Sequence, residues 1–309
     1  RSVSRGLGDV YKRQTQYSGL GVIDGDDVVA FGNAKEDFPD DLDGLIEQWG
    51  EMEDIIRALI KEGGSRVPLS EVKLLAPVDK PGKFLAIGMN YKKHRAESID
   101  AGITPPRNQM WFSKQISSIN DPHGEIIKPD STMMLDYEVE LGFVIGKECY
   151  QVSAEDAKEH IFGYTVCNDV SMRDWQLHNM PERVELMIGK SHDTHGPIGP
   201  WIVTSDEIAD PHRLDLKCYV NGELRQSSNT DDMIWNCYEQ IEYLSSAMTL
   251  YPGDLIITGT PPGSGFSPRG ASGLADKGRK GNVYLERGDV VKCEICLLYT
   301  SDAADDLWC

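Results

Sequence analysis

A chain of 309 residues, 40% hydrophobic and 26% charged, can bury one large core or a small and a large one. It has no apolar run near the ~20 residues a bilayer requires, and no signal-peptide layout, which argues against a membrane role. A formal charge of -19 repels nucleic acid and anionic lipid, so an acidic substrate must be drawn in by a local metal or a few placed cations.

The seven cysteines are scattered and odd in number, which points to reduced thiols and a cytoplasmic location rather than a disulfide framework. Cys293 and Cys296 form a C-x-x-C, but no second pair completes a zinc site. Residues 1–14 and 297–309 share no pattern with what they flank. Both resemble translated sequencing-adapter sequence, so they are read as a non-native leader and tail and left out of the fold expectation.

Residues 15–78 read as a small α+β module. GLGVI, DGDD and VVAF give a strand, an Asp-Gly turn and a second strand. The 3.6-residue spacing of Leu42, Leu45, Ile46, Trp49, Met52, Ile55, Ile56 and Leu59 predicts a helix from about Leu42 to Lys61, stopped by Gly63 and Gly64. VKLLAPV is a short strand, and the DKPGK turn near residue 80 is taken as a boundary. Residues 79–296 are strand-rich: FLAIGM, LDYEVELGFVIG, IFGYTVCNDV, GPWIVT, LDLKCYVNGELRQ, DLIITGT and DVVKCEI. The Asn-Gly pair of VNGEL signals a hairpin. Two helices are expected, near 153–159 and 233–250. So irregular an order excludes a doubly wound parallel sheet. TGTPPGSG has prolines where a phosphate-cradling helix would begin.

MLDYEVELGFVIG carries the most chemistry. Period-2 geometry puts Asp136, Glu138 and Glu140 on one face of a strand, opposite Tyr137, Val139 and Leu141. Aligned acids repel unless a cation neutralises them, and an all-oxygen donor set suits magnesium, manganese or calcium rather than zinc. A solvent-facing edge strand with ordinary surface acids fits the same spacing. A third acid, Asp169, ends a β-like run. If the chain then turns helical, Arg173 at i+4 and Gln176 near i+7 share its face, as metal-site neighbours or as a capping acid with a salt bridge.

NYKKHRAE (90–97), DYEVELGFVIG (136–146), GYTVCNDVSMRDWQ (163–176), GKSHDTHGPIGPWIV (189–203), VNGELRQ (220–226) and PGDLIITGTPPGSG (252–265) follow one another as in the fumarylacetoacetate hydrolase family. The resemblance covers roughly residues 75–296 and is nearest the acylpyruvate hydrolase and diketo-sugar-acid hydrolase subgroup. It implies an α+β, mostly β fold, a mixed β-sandwich roll with a small N-terminal α+β module, usually dimeric. It also implies that Glu138, Glu140 and Asp169 are metal ligands, for Mg2+ or Mn2+ with Ca2+ compatible. His94 and Glu97 would be a catalytic pair on a mobile lid and Lys190 a catalytic cation. Arg173, Gln176 and Thr260 would contact substrate, and Asp136 would stand behind the ligands. His192 departs from the family pattern, where phenylalanine is common, and creates an H-x-x-H with His195. Between Pro- and Gly-rich flanks a loop role is expected for it rather than metal ligation.

The chemistry implied is a metal-dependent hydrolase on a 2,4-dioxo acid. The metal accepts the electrons of a departing pyruvate enolate while His94, oriented by Glu97, activates water. Lys190 would assist at the enolate oxygen, Thr260 would donate to the substrate carboxylate, and Arg173 would meet the distal group. The same half-reaction also serves a lyase or isomerase: oxaloacetate decarboxylation, dehydration, ureidoglycolate cleavage or tautomerisation.

Overall fold

The computed structural model describes residues 6–12, 18–31, 38–100, 102–179, 184–266 and 283–298. The N-terminal part lays down β1 (Gly6–Lys12), β2 (Ser18–Asp24), β3 (Asp27–Ala30), α1 (Leu42–Glu47), α2 (Trp49–Glu62), β4 (Arg66–Pro68) and β5 (Val72–Leu74). There follow β6 (Phe84–Gly88), α3 (Lys92–Asp100), β7 (Met110–Ser113), β8 (Ile119–Asn120), β9 (Leu135–Asp136), β10 (Val139–Ile145) and β11 (Ile161–Asn168). After these come β12 (Ser171–Met172), α4 (Arg173–Leu177), α5 (Leu186–Lys190), β13 (Gly196–Thr204), β14 (Asp215–Val220) and β15 (Glu223–Asn229). Helix α6 (Cys237–Ser245) and strands β16 (Leu255–Ile257) and β17 (Val291–Ile295) complete the described chain.

The main sheet runs β4-β3-β2-β1-β13-β11-β10-β16-β6-β7, with β5 on β1 and β8 on β13. Its pairs are antiparallel except β16–β6 and β13–β8. A smaller sheet, β15-β14-β17, packs on one face. Alternation along β10 separates the two sides. Leu141, Phe143 and Ile145 join a core with Leu216, Val220, Ile241, Leu244 and Ile295, whereas Val144 joins Leu45, Ile46, Ile56, Phe84 and Ile257. This is the mixed β-sandwich roll.

Several local expectations are met by their own chemistry. Asn221 and Gly222 take φ 52° and 78°, the pair of positive values a two-residue hairpin requires. Gly63, at φ 78°, ends α2. The helix expected over 42–61 is two helices kinked at Gln48. The kink lets Leu42, Leu45 and Ile46 on α1 and Met52, Ile56 and Ile60 on α2 face one core. The segment near 153–159 is a turn followed by a single 3₁₀ turn, Ala157–His160. There the Ser153 hydroxyl takes the Asp156 N–H at 3.3 Å and bonds its carboxylate at 2.7 Å, competing with helical bonds. The helix near 233–250 contracts to Cys237–Ser245, its start set by an Asn236–Glu239 capping box.

Gly6–Lys12, set aside above as leader, is a strand between β2 and β13, and Val10–Lys12 also meets Val72–Leu74. Of the tail, residues 299–309 lie outside the described residues. Cys149, Cys167, Cys218, Cys237 and Cys293 are free thiols, but Cys296 is disulfide-bonded, against the expectation of reduced thiols throughout. No helix among the described residues is long and apolar enough to cross a membrane.

The N-terminal helices share their core with β6, β10 and β16, so module and main sheet are expected to unfold together. Leu45→Ala, at a fully buried site, should cost about 3 kcal/mol in one cooperative denaturant transition. Two separated transitions would contradict the shared core.

Candidate metal centre and its cavity

Glu138, Glu140 and Asp169 are all buried, and each offers a carboxylate oxygen within 4.8 Å of the other two. The backbone places them. β10 and β11 pair with Glu140 opposite Cys167 and Val139 opposite Asn168, so the acids at the ends of both strands meet. The Asp169 N–H bonds Glu138 O at 2.9 Å, and the Asn168 side chain accepts from Glu138 N at 3.0 Å. Tyr137, Val139 and Leu141 point into the core, which confirms the alternation. Asp169 itself is not on a helix. It precedes the short β12, and α4 starts at Arg173.

Cations surround the acids. Arg173 donates through Nε to Asp136 at 2.8 Å, through Nη2 to Glu138, and through Nη1 to Gln176 Oε1 at 2.7 Å. Lys190 Nζ bridges Glu138 Oε2 and Asp169 Oδ2, the latter at 2.7 Å. Asp136 also accepts from the N–H groups of Tyr137, Gly265 and Phe266. It thus holds Arg173 and the loop after β16, and stands behind the trio.

The environments pull the two glutamates apart. Burial would raise Glu138, but Arg173 and Lys190 outweigh it and hold the carboxyl well below the usual range. Burial, then Asp169 and Glu138, push Glu140 well above it, against Lys190 and the Gly259 N–H at 2.7 Å. Four carboxylates, Asp136 included, thus face three cations, Arg173, Lys190 and Lys114, the last donating to Asp169 Oδ1 at 2.7 Å. A hard divalent cation can answer the surplus negative charge among oxygen donors, so the residues fit such an ion.

A cavity of about 170 Å³ opens on this centre, lined also by His94, Arg173, Gln176, Lys190 and Thr260. Glu97 stands behind His94, its Oε2 3.1 Å from Nδ1. All nine residues singled out from the sequence therefore meet here, eight on the wall and Glu97 behind it. Arg173 turns toward Asp136 and Glu138. Thr260 receives the Gln226 amide at 2.8 Å and aims its own proton at Val139 O, 3.1 Å away. Neither ring of the His192–His195 pair is among the clustered ligand atoms, although the His195 carbonyl accepts from the Lys114 ammonium that also bonds Asp169. His195 donates to Ile127 O at 2.8 Å, burial lowering its pKa to about 4, and His192 Nδ1 sits 3.1 Å from Asp193 O.

Three contributors received no role from the motifs, although Asn90 and Gln226 lie within them. Lys114 is buried against Asp169. Gln226 ties Val139, Thr260 and Pro261 together. Asn90, fully buried, bonds Thr258 O at 2.8 Å and Trp235 N and O at 2.9 Å, which anchors the start of α3 and so His94. Gly259, at φ +90°, leaves room for it, because a Cβ there would lie 2.9 Å from the Asn90 Cβ. Met89 before it takes φ 57°, a strained value at the edge of the cavity.

Fold and centre together define an enzyme architecture, a mixed β-roll with an oxygen-donor pocket. The model of the fumarylacetoacetate (FAA) hydrolase C-terminal family matches residues 83–303, and the chain belongs to the fumarylacetoacetate hydrolase family. It is 40% identical over 277 residues to oxaloacetate tautomerase FAHD2B, mitochondrial, of Bos taurus, covering 90% of this chain and 83% of that one. Two solved structures are also similar. The fumarylacetoacetate hydrolase of psychrophilic Exiguobacterium antarcticum has a TM-score of 0.76 and 34% identity, covering 94% and 95% of the two chains. Maleylpyruvate hydrolase of Sphingobium sp. SYK-6, in complex with manganese(II) and pyruvate, has a TM-score of 0.74 and 31% identity, covering 95% and 96%.

A carboxyl whose folded pKa lies above its unfolded value stabilises the fold at low pH, and loses that contribution as pH rises through the folded value. Glu140→Gln is therefore expected to raise the melting temperature of ion-free protein near pH 8 and leave it unchanged near pH 4. Calorimetric titration should show Mn2+ binding weakened about 100-fold. Unaltered Mn2+ affinity would remove Glu140 from the centre.

Proposed function

We propose that the protein is a divalent-metal-dependent enzyme that interconverts the keto and enol forms of a small 2-oxo acid such as oxaloacetate. One observation carries this reading: an acid–base group, His94 backed by Glu97, shares a cavity with the three-carboxylate centre. Glu138, Glu140 and Asp169 would hold Mg2+ or Mn2+, which when bound supplies Lewis-acid polarisation of the substrate's 2-oxo and carboxylate oxygens. The name of the 40% identical Bos taurus relative supports tautomerisation as the net reaction.

The chain's own groups provide the rest. With Glu97 ionised, the His94 Nδ1 proton is held against its carboxylate, which leaves Nε2 as the base toward the cavity. Proton removal from the carbon beside the 2-oxo group makes an imidazolium, which Glu97 stabilises before the proton is returned to oxygen. Lys190 lies on the cavity wall beside Glu138 and Asp169, and when an ion takes those carboxylates its ammonium can turn to the developing oxyanion. Ile103, Pro106, Met110, Leu177 and Leu186 also line the cavity and exclude water from the exchanging proton.

That apolar wall favours a second reading as well, C–C hydrolysis of a 2,4-dioxo acid whose acyl group it would cover. The similarity to a hydrolase crystallised with manganese and pyruvate supports this. Both reactions begin with the same proton-transfer geometry.

Mn2+-loaded protein should speed the decay of oxaloacetate enol absorbance, and a chelator should abolish the effect. His94→Ala should lower kcat about 100-fold with oxalate affinity retained. Enol decay at the uncatalysed rate, alongside rapid loss of an acylpyruvate, would replace the tautomerase reading with the hydrolase. Full activity in His94→Ala would contradict both.

A further inference from the structure

Lys114 follows β7 and is 1% exposed, an extreme burial for a lysine. Its Nζ donates to Asp169 Oδ1 at 2.7 Å, to His195 O at 3.1 Å and to Lys190 O. Three acceptors converge on this nitrogen, and only the ammonium form carries three N–H bonds to satisfy them. Lys114 is therefore a fixed, buried positive charge.

Its position gives that charge two consequences. First, it occupies one oxygen of Asp169 and leaves Oδ2, which Lys190 now holds, facing the centre. By gripping the Lys190 carbonyl it also fixes the backbone that carries the Lys190 side chain. Second, it shifts the charge of the site by one unit. Asp136, Glu138, Glu140 and Asp169 face Arg173, Lys190 and Lys114, and Glu97 adds a carboxylate behind His94. With a divalent ion bound, the Lys114 charge makes the centre one unit more attractive to an anion than it would be without it.

We infer that Lys114 is a positioning residue whose buried positive charge makes the ion-loaded centre more receptive to an anionic 2-oxo acid. The inference rests on the ion-binding reading above. It predicts opposite effects on cation and anion, because a lost positive charge favours the first and disfavours the second. A packing role alone would weaken both together.

The test is calorimetric titration of full-length wild-type, Lys114→Met and Lys114→Arg proteins with Mn2+, and then of each loaded protein with oxalate. Lys114→Met should bind Mn2+ at least as tightly as wild type and oxalate about tenfold more weakly or worse. Lys114→Arg, which keeps the charge, should hold oxalate within about threefold of wild type. Parallel loss of Mn2+ and oxalate in Lys114→Met, or unchanged oxalate binding, would overturn the inference. Should Lys114→Met fail to fold, a tenfold oxalate loss in folded Lys114→Arg overturns it equally, and retention supports it. Wild-type protein that takes up no Mn2+ sinks the ion reading and this inference with it. Mn2+ uptake with oxalate binding indifferent to Lys114 sinks the inference alone.

Discussion

Carboxylates gathered out of water repel one another, and in this fold that repulsion organises the site. Glu138, Glu140 and Asp169 come within 4.8 Å where almost no solvent screens them. Burying like charges so close is costly unless each finds a counter-charge or gives one up. Asp136 stands behind them as a fourth acid, Arg173, Lys190 and Lys114 answer three of the four charges, and burial beside Asp169 and Glu138 pushes the Glu140 pKa up. A centre left one cation short has a built-in affinity for a hard ion. The neighbours that hold the acids in place also leave that deficit open.

The scaffold supplies rigidity from several directions. β10 and β11 bring two acids and Asp169 together through continuous pairing. The end of β16 supplies the Gly259 N–H to Glu140, and Asn90 ties that same turn to the helix carrying His94. Gln226, from the smaller sheet, holds Val139 and Thr260. The strand carrying Glu140, the helix carrying His94 and the loop carrying Thr260 thus share hydrogen bonds, so small displacements in one are felt by the others. The shared geometry explains how related proteins carry both tautomerase and hydrolase names.

Much of this was legible in the residues. Alternation along residues 136–141 foretold which side chains face the acids and which the core, and the Asn-Gly hairpin and the Gly63 stop were plain. The motifs marked the residues that meet in the cavity. What escaped has physical causes. Lys114 sits in MWFSKQIS, where a lone lysine reads as a surface residue, because only tertiary structure supplies its three acceptors. Asn90 and Gln226 act through carbonyls and N–H groups far away in sequence, which no local pattern records. Helix lengths were overestimated where side chains bond the backbone first, at Ser153 and Asn236. Residues 6–12 carry no periodicity of their own to announce a strand, and they join the sheet through β2 and β13.

Anomalous diffraction from crystals soaked in Mn2+ examines the centre most directly. One ordered ion should appear, with an oxygen of Glu138, of Glu140 and of Asp169 each within about 2.5 Å and the Lys190 ammonium moved aside. Mn2+ at His192 and His195 or at surface acids, with Lys190 still clasped between Glu138 and Asp169, would show that these carboxylates form a closed ion-pair network and hold no metal.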